Sequence, residues 1–600
     1  DGFSQSIGGT YNSGLFSNGA LTITSANTTA DAIRMIGKST GTSGDAWGIE
    51  AESALSVLAT GDGGGITIST SQQVADNYDA EFRGETNILA KNGPIQLLGK
   101  QDGGVANGRW FTGSNFYLGS KASTTVPTSS SNIVIQYDKF DFPGTKYIAT
   151  TGTINFQPAS NIFGQEVYTS WFNWNQNSQT MSGLTIGKIG NTANVTHQTN
   201  AITVAGPIEF YAGTITLSTG LTTTNNGNIS FYSDNAIGGL SAQRNVTAAG
   251  AFNYIPQSNS FSAAVTYPIT NLNLSSSGLL IGKLTNTANI TFANATSIAG
   301  PITAYGGTIT LNANLTATNN GSISLYTDNT LGGLTTARTV NAAAAFKLIP
   351  RTTAFVAAVT YPITNLSVTA TGLTIGKTTN DKDITINQDV IGGAGIELFG
   401  ANVNINANLK TTNSADMYLK GNTTINALKY IESNGNFTHD GNLIFKSDAN
   451  GTAAFGPLGG TLITVSGTAT VERFVPAKRA WRLLTAPLQG ATNTTIPSNW
   501  QGINGEGLLL FGPTTYQSNT MTGYTTGGGS PNIWKYNNGW QTIPNLTSEN
   551  LFTSAGNNGF LVFATGPQGS PNILTDATET TLQPKGDLIT GNVTHTLTAN

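Results

Sequence analysis

Cysteine is absent from all 600 residues, which excludes disulfides, thiolate zinc sites and cysteine nucleophiles, and fits export as well as the cytosol. Charge is also scarce. Charged residues make up 10% of the chain and the formal net charge is −4, so there is no basic footprint for nucleic acid or an anionic membrane surface. No segment holds the roughly 18 uninterrupted apolar residues of a membrane-spanning helix. The chain opens at Asp1 without an initiator Met or a secretory apolar region, which reads as a processed or excerpted chain. Only three histidines occur, His197, His439 and His595. They are far apart, fall in no metal-ligand spacing, and read as surface residues.

What is present is glycine, 72 residues of it, together with abundant Asn, Thr and Ser, a composition suited to short strands and tight turns. The clearest pattern is a long repeat. Gly-Leu-Thr-Ile-Gly-Lys at 183–188 returns as Gly-Leu-Leu-Ile-Gly-Lys from Gly278 and as Gly-Leu-Thr-Ile-Gly-Lys from Gly372, offsets of 278−183 = 95 and 372−278 = 94. A shorter period lies inside it: Ile208 is echoed by Ile229, Ile302 by Ile323, Ile396 by Met417 and Ile95 by Phe116, each at an offset of 21. Apolar and polar residues alternate between Gly and Asn-Gly turns, which predicts strands.

A coil of about two dozen residues with two or three short strands suits a solenoid that stacks equivalent apolar residues inward. An antiparallel sandwich array shares the alternation, but the constant 21 favours the solenoid. Stacking over residues 15–460 would give a rod about 100 Å long. Segments 233–277 and 327–371 break the period and contain prolines within apolar runs, so they read as excursions with edge strands or hairpins. From about Gly459 the texture changes to Trp481, Trp500, Trp534 and Trp540 with a basic run at Lys478 and Arg479. Strand-like pieces at 507–511 and 532–536 suggest a sandwich. The strand-like run at 593–597 ends without a closing feature, so more sequence is expected beyond Asn600.

The expected fold is all-β: a right-handed parallel β-helix over 1–460, with long repeats at 183–277, 278–371 and 372–460, then a β-sandwich-like domain over 461–600. The repeated Gly-Leu-Thr-Ile-Gly-Lys, the Thr-Ala-Asn-Val-Thr at 192–196 and the Ala-Gly-Pro-Ile at 205–208 resemble the filamentous-haemagglutinin type of surface β-helix in very large proteins of the Bacteroidota. That resemblance covers about residues 90 to 460. Residues 471–487, Val-Glu-Arg-Phe-Val-Pro-Ala-Lys-Arg-Ala-Trp-Arg-Leu-Leu-Thr-Ala-Pro, are similar to a segment that precedes the sorting domain of type IX secretion substrates. The resemblance implies export by the type IX translocon and its shuttle components, an extracellular or outer-surface location, and adhesion linked to gliding or colonisation.

No catalytic residue, cofactor or metal is expected. The enzymatic alternative is a β-helix polysaccharide lyase or glycosidase, which needs converging carboxylates with an Arg or Lys. The best acidic groups are Asp138 with Asp141, and Asp381, Asp383 and Asp389. An offset of three puts the first two on opposite strand faces, while Asp381 and Asp383 share a face that could hold Ca²⁺ with backbone oxygens, although a solvated turn at 380–383 is the favoured reading. Gly-Asp-Gly-Gly-Gly at 61–65 lacks the nonapeptide of calcium-binding rolls, and the Thr-x-Thr ladder of an ice-binding face does not recur on the next coil. Surface glycans or other extracellular ligands are the expected partners. Their recognition surface would lie on the proline-containing segments and the terminal domain, through Tyr254, Tyr267, Trp481, Trp534 and Trp540. Core or interdomain packing competes with that reading for the three tryptophans and is the favoured one.

Overall fold

The structure, a computed structural model, describes residues 11–40, 45–74, 77–100, 108–174, 178–459, 462–485, 488–489, 495–501, 507–512, 523–526, 530–536, 539–553, 556–557, 559–567 and 577–588. Its architecture is all-β. Helix among the described residues is confined to Thr169–Trp171 and Ile496–Trp500. The chain divides into two compact units, Asp1–Tyr326 with Leu331–Gly333, and Thr327–Thr330 with Leu334–Asn600.

In the first unit the strands pair in parallel and in register, each with a strand one to three places further along the chain. One inward column runs Ile154, Leu184, Ile208, Ile229, Phe252, Leu279, Ile302, Ile323. Two residues along, Phe156, Ile186, Phe210, Phe231, Tyr254, Ile281, Ala304 and Leu325 form a second column. The period of two along each strand sends alternate side chains to one face, so the columns are buried and their neighbours face outward. Phe231 packs between Phe210 and Phe252 at centroid distances of 5.7 and 5.4 Å. Burial of each such ring contributes about 2 to 3 kcal/mol.

The pairing of Ile208 with Ile229 and of Ile302 with Ile323 follows the period of the sequence, as does Ile396 with Met417 in the second unit. Ile95 departs from it. It pairs with Ile66 and Ile133, whereas Phe116 pairs with Thr86 and Lys146. The coils there are longer, because register follows which residues face the core and not the spacing of similar apolar runs along the chain.

Segments 233–277 and 327–371 are likewise not excursions. Arg244–Ile255 sits in the ladder, with Phe252 between Ile229 and Leu279, and Val265–Tyr267 pairs with Ile290–Phe292. Ala345–Ile349 and Val359–Tyr361 do the same with Gly372–Ile375 and Ile384–Ile386. All these pairings are parallel, so the prolines sit just beyond strand ends and form no hairpins. The spacing between paired residues therefore varies: Ile208 to Ile229 is an offset of 229−208 = 21, and Phe252 to Leu279 one of 279−252 = 27. Arg244–Ile255 pairs with Leu221–Thr223 through Val246 and with Ile229–Tyr232 through Phe252, joining two faces without closing a barrel.

The Gly-Leu-x-Ile-Gly-Lys repeat is a staple between coils. Its Leu and Ile enter the inward columns. Its second glycine, Gly187, Gly282 or Gly376, has φ of +83, +82 or +86°, and a Cβ there would lie 2.3 to 2.5 Å from the carbonyl oxygen of Tyr211, Tyr305 or Phe399. Only glycine fits. The lysine donates back to the preceding coil, Lys188 to Pro158 O at 3.1 Å and Lys283 to Gln257 O at 3.0 Å. Three residues further comes a buried asparagine that bridges both neighbours. Asn286 donates to Tyr305 O at 2.6 Å and accepts from Phe261 N at 3.1 Å. Asn191 and Asn380 repeat the arrangement with Tyr211 O and Phe163 N, and with Phe399 O and Phe355 N.

In the second unit the columns Phe346, Leu373, Ile396, Met417, Phe437, Ile463 and Leu348, Ile375, Leu398, Leu419, His439, Val465 continue the same construction. The parallel ladder passes residue 460 and reaches Val471, which pairs with Phe445. Beyond it antiparallel pairing appears: Ala480–Leu484, Phe560–Ala564, Ile533–Tyr536 and Trp540–Thr542 form one antiparallel sheet in that order. The expected strand at 507–511 is reduced to Phe511–Gly512, and the run at 593–597 lies outside the described residues.

Candidate functional site

Inward parity explains why the histidines are not surface groups. His197 shares a face with Val195, and His439 shares one with Phe437, so both rings are fully buried. His197 meets Thr169 Oγ1 at 2.9 Å through Nδ1 and Gly220 O at 2.9 Å through Nε2. His439 Nε2 meets Thr423 Oγ1 at 3.0 Å. Burial pushes both imidazoles down to about 4. His595 lies outside the described residues.

Parity also places the tyrosines proposed for recognition. Tyr254 and Tyr267 are 2% and 5% exposed, inside the columns, and the Tyr254 hydroxyl donates to Asn235 O at 2.6 Å. They present no ring face to solvent. Two of the three tryptophans expected to pack, Trp481 and Trp540, are largely exposed. Trp481 is 52% and Trp540 44% exposed, while Trp534 is half-buried and donates to Pro531 O. Trp481 lies against Phe563 and Trp540 against Tyr536, but each keeps a large part of its ring in solvent. The buried tryptophan is Trp500, packed on Phe560.

The acidic residues fall into two groups. Asp383 accepts from Asn402 N, as Asn289 and Asn194 accept from Thr308 N and Thr214 N one and two repeats earlier, so it ties its segment to the next one in the ladder. Asp389 accepts from Asn408 N, and Asp381 pairs with Lys382. Among the described residues no three His, Cys, Asp or Glu side chains are placed to hold a metal ion. Asp138 is buried while Asp141 is half-buried, as an offset of three along the strand requires, and Asp138 lies near Asp79. Burial, with the nearby Asp138 charge adding to it, pushes Asp79 up to about 7.

A second convergence was not anticipated. Glu50 and Glu81 are Cα partners on adjacent parallel strands, 5% and 4% exposed. The Arg83 guanidinium reaches Glu81 at 2.7 Å, Glu52 at 3.6 Å and Glu50 at 3.9 Å, and Ser13 donates to Glu50 at 2.6 Å. Burial raises the Glu50 carboxyl above its usual range. A glycosidase needs a sugar, and often a water, between its carboxyls. Here a guanidinium fills that position.

An open groove of 510 Å³ lies on the second unit. Outward residues Lys347, Thr374, Glu397 and Tyr418 line up in register across four successive coils. Gly372, Gly393, Ala394 and Gly395 make its floor, and Gly395, at φ +108°, supplies a backbone that a side chain would block. Thr374 Oγ1 donates to Glu397 Oε2 at 2.9 Å and fixes that carboxylate. The edge of Phe399 meets the Tyr418 ring at 5.0 Å and 83°, which orients it. Asn413 and Ser414, both left-handed, carry the rim to Asp416. The first unit repeats the Thr–Glu pair at Thr185 and Glu209 but has Asn155 and Ser230 where Lys347 and Tyr418 stand.

Sequence reasoning missed this groove because its members stand at unequal offsets, 374−347 = 27, 397−374 = 23 and 418−397 = 21. A search at the constant short period joins Glu397 to Tyr418 and stops. No family model, curated protein or solved structure matches this chain.

Proposed function

We propose that this chain is a non-catalytic adhesin or stalk of the outer cell surface, exported by the type IX pathway. In that reading the parallel ladders form a right-handed β-helix and the antiparallel sheet belongs to a β-sandwich-like module. The carrying observation is the groove at Lys347, Glu397 and Tyr418: a flat ring, a fixed carboxylate, an ammonium and amide groups side by side on a rigid ladder. That set suits a hydroxyl-rich glycan, because aromatic faces stack on pyranose rings and carboxylates accept from paired hydroxyls. Rigid strands hold the groups without an ordering cost at binding.

The test is a panel of acidic and neutral polysaccharides presented to the whole chain. Binding without new reducing or unsaturated ends is expected, and Tyr418→Ala and Glu397→Gln should each weaken it about tenfold, roughly 1.4 kcal/mol. Sugar binding that ignores both substitutions would remove the groove from the reading. The lyase or glycosidase alternative would have to use the Glu50 and Glu81 pair, although the Arg83 guanidinium stands against both carboxyls. Turnover abolished by Glu81→Gln would establish it in place of adhesion.

A further inference from the structure

A cavity of 330 Å³ opens on the first unit where segment 233–277 crosses the ladder. Its walls are largely apolar, from Ile237, Leu240, Phe261, Val265 and Ile269, and Tyr254 and Thr266 also line it. One charged group, Asp234, stands among them. Asp234 Oδ1 accepts from Ser258 N at 2.9 Å, and no cationic side chain among the described residues pairs with the carboxylate.

The chain contains its own comparison one long repeat later. Leu331, Leu334, Phe355, Val359 and Ile363 stand at the matching sequence positions, and Asp328 matches Asp234. Asp328 Oδ1 accepts from Thr352 N at 2.7 Å, the same backbone bond. Gln257, however, is replaced by Arg351, whose guanidinium lies 3.5 Å from Asp328 with the two side chains only 12% and 14% exposed. The second repeat thus supplies a guanidinium from within. In the first, Gln257 turns instead to Asn191 O and Ala212 O, at 2.8 and 2.9 Å, and makes no such pair with Asp234, which lines the cavity.

We infer that the Asp234 cavity is a binding site for a guanidinium carried on an apolar stem, the group that Arg351 provides internally one repeat later. The apolar walls take the stem and exclude water, which strengthens the ion pair at the rim. A planar guanidinium suits a carboxylate that already spends one oxygen on a backbone N–H. This inference is independent of the glycan groove, which lies in the other unit.

The test titrates the whole chain with hexylguanidinium chloride, read by calorimetry, beside hexanol, hexanoate and N-acetylarginine amide. One-to-one binding of hexylguanidinium is expected, with hexanol and hexanoate at least about tenfold weaker. Asp234→Asn keeps the Ser258 bond and should lose binding about tenfold or more. Gln257→Arg should lose it too, whereas Asp328→Asn should leave it unchanged. Tighter binding of the arginine derivative assigns the site to a peptide side chain, and tighter binding of hexylguanidinium assigns it to a free amphiphile. No binding, equal binding of hexanol, or binding indifferent to Asp234→Asn would overturn the site.

Discussion

Replacing Asn286 by leucine is expected to destabilise its coil by about 2 to 4 kcal/mol, since two buried backbone groups lose their partner at once. Tyr305 O loses its donor, Phe261 N loses its acceptor, and neither is reached by water because Asn286 is 0% exposed. The staple joins three coils, so the effect should spread along the ladder and remain local, as nearest-neighbour coupling in stacked repeats dictates. Amide exchange at Phe261 is the direct readout. Unchanged protection there would show that the asparagine fills space only. Asn273, exposed and bonded to Asn245 at 2.9 Å, is the control, and Asn273→Ala should stay within about 0.5 kcal/mol.

Acid should loosen the ladder at His439, by about 3 kcal/mol between neutrality and pH 4. The ring is held down to about 4 by burial, against an ordinary value of 6.5. Between those limits the unfolded chain takes up a proton that the folded ring refuses, so stability is complete above pH 6.5 and is lost as pH falls toward 4. Nδ1 is buried without a partner, and protonation there would place an unpaired N–H in the core. His197 in the first unit carries the same sign, also at about 4. Asp79 runs the other way. Pushed up to about 7 from an ordinary 3.8, it contributes stability at low pH that is lost as pH rises between those values. Exchange protection of Met417–Ile425, corrected for intrinsic rates, should fall from pH 7 to pH 5. The fall should be smaller in His439→Gln, and an identical profile in the variant would place the acid sensitivity elsewhere.

Both expectations rest on features that local sequence carried only in part. Gly-Leu-Thr-Ile-Gly-Lys stands out as a repeat, yet its chemistry as a staple depends on Tyr305 and Phe261, 19 and 25 residues away from Asn286. The buried place of His439 has a local cue, since Phe437-x-His439 follows Met417-x-Leu419 at an offset of 437−417 = 20 and repeats its parity. Read as a surface residue, His439 hid that cue. The tryptophans fail for a related reason. Alternation in Ala480–Leu484 puts Trp481 and Leu483 together on one face, but alternation alone does not say which face meets a core.

Sequence alone determined the all-β class, the long repeat with its offsets of 95 and 94, the short period at Ile208, Ile302 and Ile396, and the exclusion of cysteine chemistry. Each follows from composition or from periodicity along the chain, which local sterics and strand parity make readable. Tertiary structure decided how long each coil is, that Tyr254, Tyr267 and both described histidines point inward, and that Lys347, Glu397 and Tyr418 share one groove. Those depend on which residue of one coil lies over which residue of the next. That register is set by packing across the core, and where the spacing lengthens, as from Phe252 to Leu279 relative to Ile208 to Ile229, the residue paired is not the one the short period points to.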